Sequence, residues 1–233
     1  MVNTDGKTAE VKKVTLIIPT YNEESNLSYV LPRIPSLVDE VIIVDGYSTD
    51  NTVATAEKLY PHARIIYQEG KGKGSALRTA FKYATGDIVI TIDADGSMNP
   101  DEITRFIEPL KDGYDFAKGS RFILNGGTDD ASAHRLFGNR VFAVVTNLLF
   151  GSKYTDVTYG YNALSKRCLE KIKLQSTGFS IETEMAIRVK KSGLRITEVP
   201  SFESPRISGK AKLNSIRDGW RILRIIIGER FRS

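Results

Sequence analysis

At 233 residues, with 41% hydrophobic and 26% charged side chains, the chain has an ordinary globular composition and enough length to bury one α/β core. Its net charge of +5 points to anionic partners such as phosphates, nucleic acid or a membrane surface. The single cysteine, Cys168, excludes an internal disulfide framework and a cysteine metal cluster, which suits a reducing compartment. Residues 1–12 are polar and lack the apolar core of a secretory signal. No uncharged apolar run approaches the roughly 20 residues of a spanning helix. A cytoplasmic protein is expected, with any membrane contact peripheral.

The first predicted element is a buried strand, Val14 to Pro19, running into TYNEES. Asn22 or Ser25 can cap the helix that follows, with Glu23 and Glu24 near its positive end, and Pro32 and Pro35 keep it short. A second strand, Val41 to Val44, ends in Asp45 and the turn-rich GYSTDNT, and a helix starts at Thr49 or Asp50 and runs to about Tyr60. Ala63 to Gln68 is the third strand. Gly70, Gly72 and Gly74 then form a loop at the start of a helix whose Ala76, Leu77, Ala80, Phe81 and Ala84 recur at helical spacing. The fourth strand is the continuous β-rich run Ile88 to Ile92, which suits a strand buried on both faces. Strands alternating with helices over short links predict a doubly wound, mostly parallel α/β sheet with helices on both faces.

Beyond it the pattern predicts a helix from about Pro100 to Leu110 and a strand from Tyr114 to Lys118 leading into GSRF. A loop rich in Gly and Asp precedes a helix from His134 to Phe150. On that helix Phe137, Val141, Val144, Val145 and Leu148 make one apolar stripe, while Arg135 and Asn139 lie one turn apart on another face. TDVTYGYNALS re-enters the sheet, SIETEMAIRVKKSG is a helix stopped at Gly193, and RITEVPSFESP is a late strand ending at the basic loop RISGKAKL. No repeat or linker interrupts this order. The expected organisation is a polar tail over 1–12, one domain over 13–212 and a basic amphipathic helix over 213–233. On the last, Ile216, Trp220, Leu223 and Ile227 share one face and Arg217, Arg221 and Arg224 another. Such a helix can lie in a lipid headgroup layer, cap the sheet or form a dimer contact.

Acids thus end two strands: Asp45, and Asp93 with Asp95 two residues on. Ligands of open α/β sheets bind at this carboxyl edge. Backbone alternation lets Asp93 and Asp95 converge on one cation, while Gly96 permits a sharp turn; an ordinary solvated turn is the plainer reading of DADG. One crevice could hold a base or ribose at Asp45 and phosphates through a divalent cation at Asp93 and Asp95, with contacts from Lys71 and Lys73. GKGKGSAL matches neither the dinucleotide fingerprint G-x-G-x-x-G nor the P-loop G-x-x-x-x-G-K-[ST].

Taken together, PTYNEE, VDGYSTDNT, GKGKGSAL, IDADG, KGSRF, TDVTYGYNALSK and RISGKAKL stand in the order seen in inverting family 2 glycosyltransferases of the GT-A fold. Over residues 14–215 the chain most resembles the dolichyl-phosphate mannose synthase branch of polyprenyl-phosphate sugar transferases. The resemblance implies a nucleotide diphosphate sugar donor of the GDP-mannose or UDP-glucose type and a polyprenyl or dolichyl phosphate acceptor. It also implies a membrane surface as partner, with a homodimer or membrane partner left open and no nucleic acid.

By the same resemblance Pro19, Tyr21, Glu23 and Asp45 line the base and ribose pocket, and Lys73 and Ala94 add contacts to the nucleotide sugar. Asp93 and Asp95 hold Mg²⁺ or Mn²⁺ against the diphosphate. Arg121, Arg135 and Asn139 seat the acceptor phosphate, and Asp95, Arg121 and Arg135 carry catalysis. Arg206 and Lys212 close over the phosphates. Three features depart from the pattern: Gly46 stands where a second acid is common, Asn139 where a serine is, and the C-terminal transmembrane segments of some relatives are not found.

A lipid phosphate is already anionic and needs positioning more than a base. His62 and His134 are accordingly not expected to be catalytic. Glu182 and Glu184 are read either as polar site residues or as a solvated helix face. A neutral hydroxyl acceptor, soluble or on a glycan, would instead require a base, with Glu182, Glu184 or Asp156 first to test. Readings of another class are a nucleotidyltransferase, whose glycine loop should follow the first strand where TYNEE stands, and a non-catalytic nucleotide-sugar binder.

Overall fold

A computed structural model describes residues 12–210, 212 and 214–232. Apart from Lys12, the expected polar tail lies outside the described residues. Strands β1 (Val14–Thr20), β2 (Glu40–Asp45), β3 (Arg64–Tyr67), β4 (Ile88–Thr91) and β5 (Phe116–Ser120) are followed by the short β6 (Gly127–Thr128). Then come β7 (Asn162–Ser165), β8 (Ile196–Pro200) and the short β9 (Phe202–Glu203). Seven of these form one sheet in the order β3-β2-β1-β4-β7-β5-β8, and β6 pairs with β9 beside it. Within the large sheet β7 alone runs antiparallel, between β4 and β5. The doubly wound, mostly parallel sheet expected from the sequence is therefore present.

Helices α1 (Glu24–Val30), α2 (Thr52–Leu59), α3 (Lys73–Phe81) and α4 (Ile103–Lys111) belong to the first half. The second half contributes α5 (Ala133–Phe150), α6 (Lys166–Lys171), α7 (Ile181–Lys191) and α8 (Ser215–Phe231). Alternating side chains of β1 face opposite ways, as the pleat requires. Leu16 and Ile18 pack with Leu27 and Val30 of α1 and Phe106 and Ile107 of α4. Ile17 packs on the other side with Ala76, Leu77 and Ala80 of α3 and Ile181 of α7. Both faces are covered, which is why these strands read as unbroken apolar runs. Each fully buried Leu or Ile contributes about 1.5–3 kcal/mol. Cys168 is buried as well, and burial pushes its thiol up to about 12.

Local starts differ from expectation in instructive ways. No side chain caps α1. Asn22 instead has a left-handed backbone (φ 52°), and its side-chain oxygen accepts from the Thr49 N–H at 2.8 Å, tying the loop after β1 to the loop after β2. The second helix begins at Thr52, later than expected, because the Asp50 carboxylate accepts from the Thr52 N–H at 3.0 Å and holds a turn there. The third begins earlier, at Lys73 inside the glycine loop, directly after Gly72 at φ +94°.

The apolar stripe foreseen on α5 divides. Val145, with Phe142 and Leu149, packs against Ile187, Ile222 and Ile226. Phe137, Val141, Val144 and Leu148 face outward, with Phe137 72% and Leu148 80% exposed. On α8, Ile222 and Ile226 form the buried seam, whereas Ile216, Trp220 and Ile227 lie on the outer face. Neither outward stripe meets a partner among the described residues.

The glycine loop is set by contact. A Cβ on Gly74 would lie 2.4 Å from the Ser176 carbonyl oxygen and 2.8 Å from the Thr177 carbonyl carbon, both backbone atoms. Gly74→Ala is expected to destabilise the fold by about 1–3 kcal/mol, the usual cost of overpacking. Gly228→Ala, where a Cβ meets nothing within 4 Å on α8, should be neutral or stabilise by up to about 1 kcal/mol through helix propensity. Denaturant unfolding of the two variants checks the contrast.

Candidate active site

Because β1, β2 and β4 run parallel, their carboxyl ends share one edge, and a cavity of about 910 Å³ opens there. Every residue nominated for the donor, the metal or the acceptor phosphate lines it except Asp45. Pro19, Tyr21 and Glu23 come from the end of β1, Lys73 from the start of α3, and Asp93, Ala94 and Asp95 from the turn after β4. Arg121 follows β5, Arg135 and Asn139 project from α5, and Arg206 and Lys212 come from the segment after β9. Asp45 lies beneath the floor. It is fully buried, and its oxygens accept from the Thr20 hydroxyl at 3.0 Å, the Ser48 N–H at 2.8 Å and the Ser48 hydroxyl at 2.6 Å. It therefore shapes the turn that presents Gly46 and Tyr47 to the cavity.

The turn after β4 separates its two acids by their partners. Asp93 Oδ1 meets Lys73 Nζ at 2.5 Å, and Glu182 Oε1 of α7 meets the same ammonium at 2.7 Å. Asp95 Oδ1 accepts from the Ser97 N–H and hydroxyl, and its Oδ2 accepts from Arg206 Nη2 at 2.8 Å. Gly96 has φ +78°, and a Cβ there would lie 2.5 Å from Ile207, so the turn and the Arg206 segment come together only over glycine. Gly160 similarly leaves room: its Cβ would sit 2.7 Å from Lys73 Nζ.

Burial, with the Asp95 and Glu182 charges nearby, pushes Asp93 up to about 6 against the opposing pull of Lys73. Lys73 is held above its ordinary value: burial lowers it, but the two carboxylates that flank it raise it more. The site is short of positive charge. Its oxygen donors are the hard ligands that suit Mg²⁺ or Mn²⁺. No group of three His, Cys, Asp or Glu side chains is placed to hold one metal ion among the described residues. Asp93 and Asp95 therefore fit an ion that takes one or two carboxylates from protein and the rest of its shell from phosphates and water.

Arg206 and Lys212 already lie over this edge. Arg206 Nη1 is 3.5 Å from Glu23 Oε1, and Lys212 Nζ is 2.5 Å from the same oxygen and also donates to the Tyr21 carbonyl. Across the cavity Arg121 is nearly saturated. Nε and Nη2 form a two-pronged pair with Asp156 at 2.7 and 3.2 Å, Nη1 reaches Glu203 at 3.0 Å, and Nη2 also donates to the Thr158 hydroxyl. One guanidinium facing two carboxylates offers little to an incoming anion. Arg135, a quarter exposed and paired with Asp130 at 3.2 Å, is the more available cation on this side.

The acids weighed as bases are now separated. Asp156 is fully buried in its pair with Arg121, and Glu184 is fully buried and accepts from the Gln175 and Ser176 N–H groups. Neither lies on a solvated face. Glu182 lines the cavity but is committed to Lys73. His134 is exposed at the rim with Ser132 as partner, and His62 lies outside the cavity. Sequence reasoning missed the pairing of Lys73 with Glu182 and of Arg121 with Asp156 and Glu203. It also missed Lys118, buried with its ammonium on the Tyr159 and Gly119 carbonyls and lowered to about 8 chiefly by burial. The one available signal was a lysine inside an otherwise apolar strand.

The sequence profile of the family described as Glycosyl transferase family 2 matches residues 15–173. Glycosyltransferase AglJ of Haloferax volcanii is 34% identical over 212 residues, spanning 88% of this chain and 68% of that protein. Dolichol-phosphate mannosyltransferase of Pyrococcus furiosus is 34% identical over 211 residues, spanning 86% of this chain but only 59% of that protein. Among solved structures, glucosyl-3-phosphoglycerate synthase from Mycobacterium tuberculosis, in complex with Mn²⁺, UDP and glucosyl-3-phosphoglycerate, superposes with a TM-score of 0.74. It is 21% identical, with 99% of this chain and 87% of that one covered, and shares the fold.

The Arg121 clamp makes a stability prediction. Burial alone would raise Asp156, yet Arg121, with smaller help from Lys118, holds it down to about 2. Its contribution is complete above the unfolded carboxylate value of about 3.9 and is lost as pH falls from about 4 toward 2. Asp156→Asn is expected to cost about 3–5 kcal/mol at neutral pH, as for any buried pair left with one charge. Its deficit relative to wild type should shrink below pH 4, as urea titrations at several pH values will report.

Proposed function

The chain belongs to glycosyl transferase family 2 and is a glycosyltransferase, and on that premise we propose that it transfers a hexose from a nucleotide diphosphate sugar to a polyprenyl or dolichyl phosphate. The observation that carries this reading is the make-up of this cavity. Asp93 and Asp95 line it together with Arg135 and the apolar Phe142, Ile216 and Ile222 of α5 and α8. The latter group matches an acceptor with an anionic head and an apolar tail. Asp156 is held by Arg121, Glu184 by backbone N–H groups, and Glu182 Oε1 is paired with the Lys73 ammonium, which favours an acceptor already ionised.

In this reading Pro19, Tyr21, Gly46 and Tyr47 bound the base and ribose pocket. Asp93 and Asp95 hold Mg²⁺ or Mn²⁺, which when bound supplies charge neutralisation to the leaving diphosphate. Lys73, Arg206 and Lys212 surround the same oxygens with positive charge. Arg135 and Asn139 seat the acceptor phosphate, a task suited to guanidinium geometry, and Arg121 keeps the Asp156 and Glu203 walls of the site in place. An acceptor phosphate oxygen attacks the anomeric carbon as the bond from that carbon to the diphosphate oxygen breaks. The electron pair leaves with the nucleoside diphosphate, configuration inverts, and no proton has to be removed. Rate then comes from positioning and from stabilising the leaving group.

The apolar tail also argues for a bilayer surface. No helix among the described residues is long and apolar enough to cross a membrane. The inner seam of α8 is satisfied by α5 and α7, yet Trp220 is 68% exposed beside Ile216 and Ile227, with Arg217, Arg221 and Arg224 exposed on the adjoining face. That pattern suits a helix lying in a headgroup layer.

Incubation with labelled GDP-mannose or UDP-glucose, Mn²⁺ and polyprenyl phosphate should move label into the organic phase, and Asp95→Ala should abolish the transfer while leaving the melting curve intact. Label that stays aqueous with every donor would sink the lipid-phosphate reading. Separately, Ile216→Ser with Trp220→Ser should reduce co-sedimentation with vesicles containing anionic lipid without lowering thermal stability. Unchanged sedimentation would remove the membrane assignment.

A further inference from the structure

The C-terminal helix packs on α5 and α7 through apolar side chains, and buried charge links it onward toward the glycine loop. Glu229 of α8 is buried, and its Oε1 accepts from Arg188 Nη2 of α7 at 2.8 Å. The same Nη2 lies 2.9 Å from Glu184 Oε1 as an ion pair, so one guanidinium nitrogen joins two buried carboxylates on different helices. Glu184 uses its remaining capacity on backbone: Oε1 accepts from the Gln175 N–H at 2.9 Å and Oε2 from the Ser176 N–H at 2.7 Å. The other side of that segment meets the start of α3. The Thr177 carbonyl accepts from the Ser75 N–H at 3.1 Å, and the Gln175 carbonyl accepts from Arg78 Nη1 at 3.1 Å. Gly72 and Gly74 press so closely on the Ser176 and Thr177 carbonyls that no Cβ fits at either. Between those glycines stands Lys73, whose ammonium meets Asp93 and Glu182.

We infer that Glu229, Arg188 and Glu184 are positioning residues: through them α8 holds segment 175–177 against the glycine loop and so fixes Lys73 at the donor end of the cavity. The charges make the chain of contacts obligatory. Glu229 is raised by burial but held below its ordinary value by Arg188, with Arg232 and Lys191 behind it. Without Arg188, Glu184 and Glu229 would be left as neighbouring buried acids, a costly arrangement. Glu184 cannot be replaced by a neutral isostere without loss. Both of its oxygens accept, and a glutamine would turn an amide N–H₂ toward a backbone N–H or the guanidinium. The consequence for donor binding rests on the donor-site reading of Lys73, whereas the mechanical link does not.

The test uses the whole chain and three variants. Glu229→Gln and Glu184→Gln weaken the relay. Ile226→Ala loosens the same α8 interface through apolar packing alone, since Ile226 is buried there and does not line the cavity. Hydrogen exchange without ligand reads the link: amides of residues 70–79 should exchange about tenfold faster in Glu229→Gln, although Glu229 touches none of them, and remain near wild type in Ile226→Ala. Titration with GDP and with UDP, each with Mn²⁺, reads the consequence. The nucleotide that wild type binds should bind about tenfold more weakly to both glutamine variants and normally to Ile226→Ala, with 1.4 kcal/mol corresponding to that factor. Wild-type exchange in the loop of Glu229→Gln, equal acceleration in Ile226→Ala, or unaltered nucleotide affinity in Glu229→Gln would each overturn the relay. Failure of wild type to bind either nucleotide would instead count against the donor site and leave the exchange measurement to decide the link.

Discussion

Carboxylates gathered at the edge of a parallel sheet repel one another and lose hydration, and the architecture of this molecule follows from how that cost is offset. Asp93, Asp95 and Glu182 share one corner with Glu23 close by; Asp156 and Glu203 share another. Each corner is met by a cationic side chain from a distant stretch of chain: Lys73 from the glycine loop, Arg206 and Lys212 from the segment after β9, and Arg121 from the end of β5. Charge matching thus joins elements that hydrophobic burial alone would leave free to slide, because an ion pair in a low-dielectric setting tolerates little misplacement.

The two corners differ in what they leave open. Around Arg121 the pairing is complete: the guanidinium is nearly enclosed and faces two carboxylates, so this corner acts as a wall. Around Asp93 and Asp95 the cations are Lys73 and Arg206, each brought in on a long stem from another part of the chain. A divalent ion and a diphosphate bring charges of both signs, and each could exchange with a partner already present without stranding a buried charge. This is the physical sense in which the site is ready for a charged ligand while being satisfied without one.

Much of the candidate site was legible before any coordinates. IDADG announces itself because a strand buried on both faces must be apolar, so two acids at its end stand out. RISGKAKL was readable as a basic segment near phosphates, and Arg206 and Lys212 do lie over Asp95 and Glu23. Other residues were legible only by type. Glu182 and Glu184 differ by two positions in one helix. Residues two apart on a helix do not share a face, and here one faces the cavity while the other turns to Arg188 and the backbone of Gln175 and Ser176. Asp45 shows the opposite case: its place at a strand end suggested a ligand contact, but Ser48 and Thr20 close over it because the chain turns back immediately.

What the sequence by itself determined are the elements whose cause is local: the apolar strands, the helical spacing in α3, α5 and α8, the glycines at sharp turns, and the order of motifs that marks the family. What only the tertiary structure decided is which partner each charge finds. Lys73 lies 109 residues from Glu182 by their numbering, and Arg121 is 82 positions from Glu203; separations of that size leave no periodic trace in sequence. The outward stripes of α5 and α8 belong to the same class, since periodicity reveals an apolar face but not whether protein or another phase will cover it. Burial of a face depends on which elements the sheet order brings beside it, and that order is set by the packing of the whole chain.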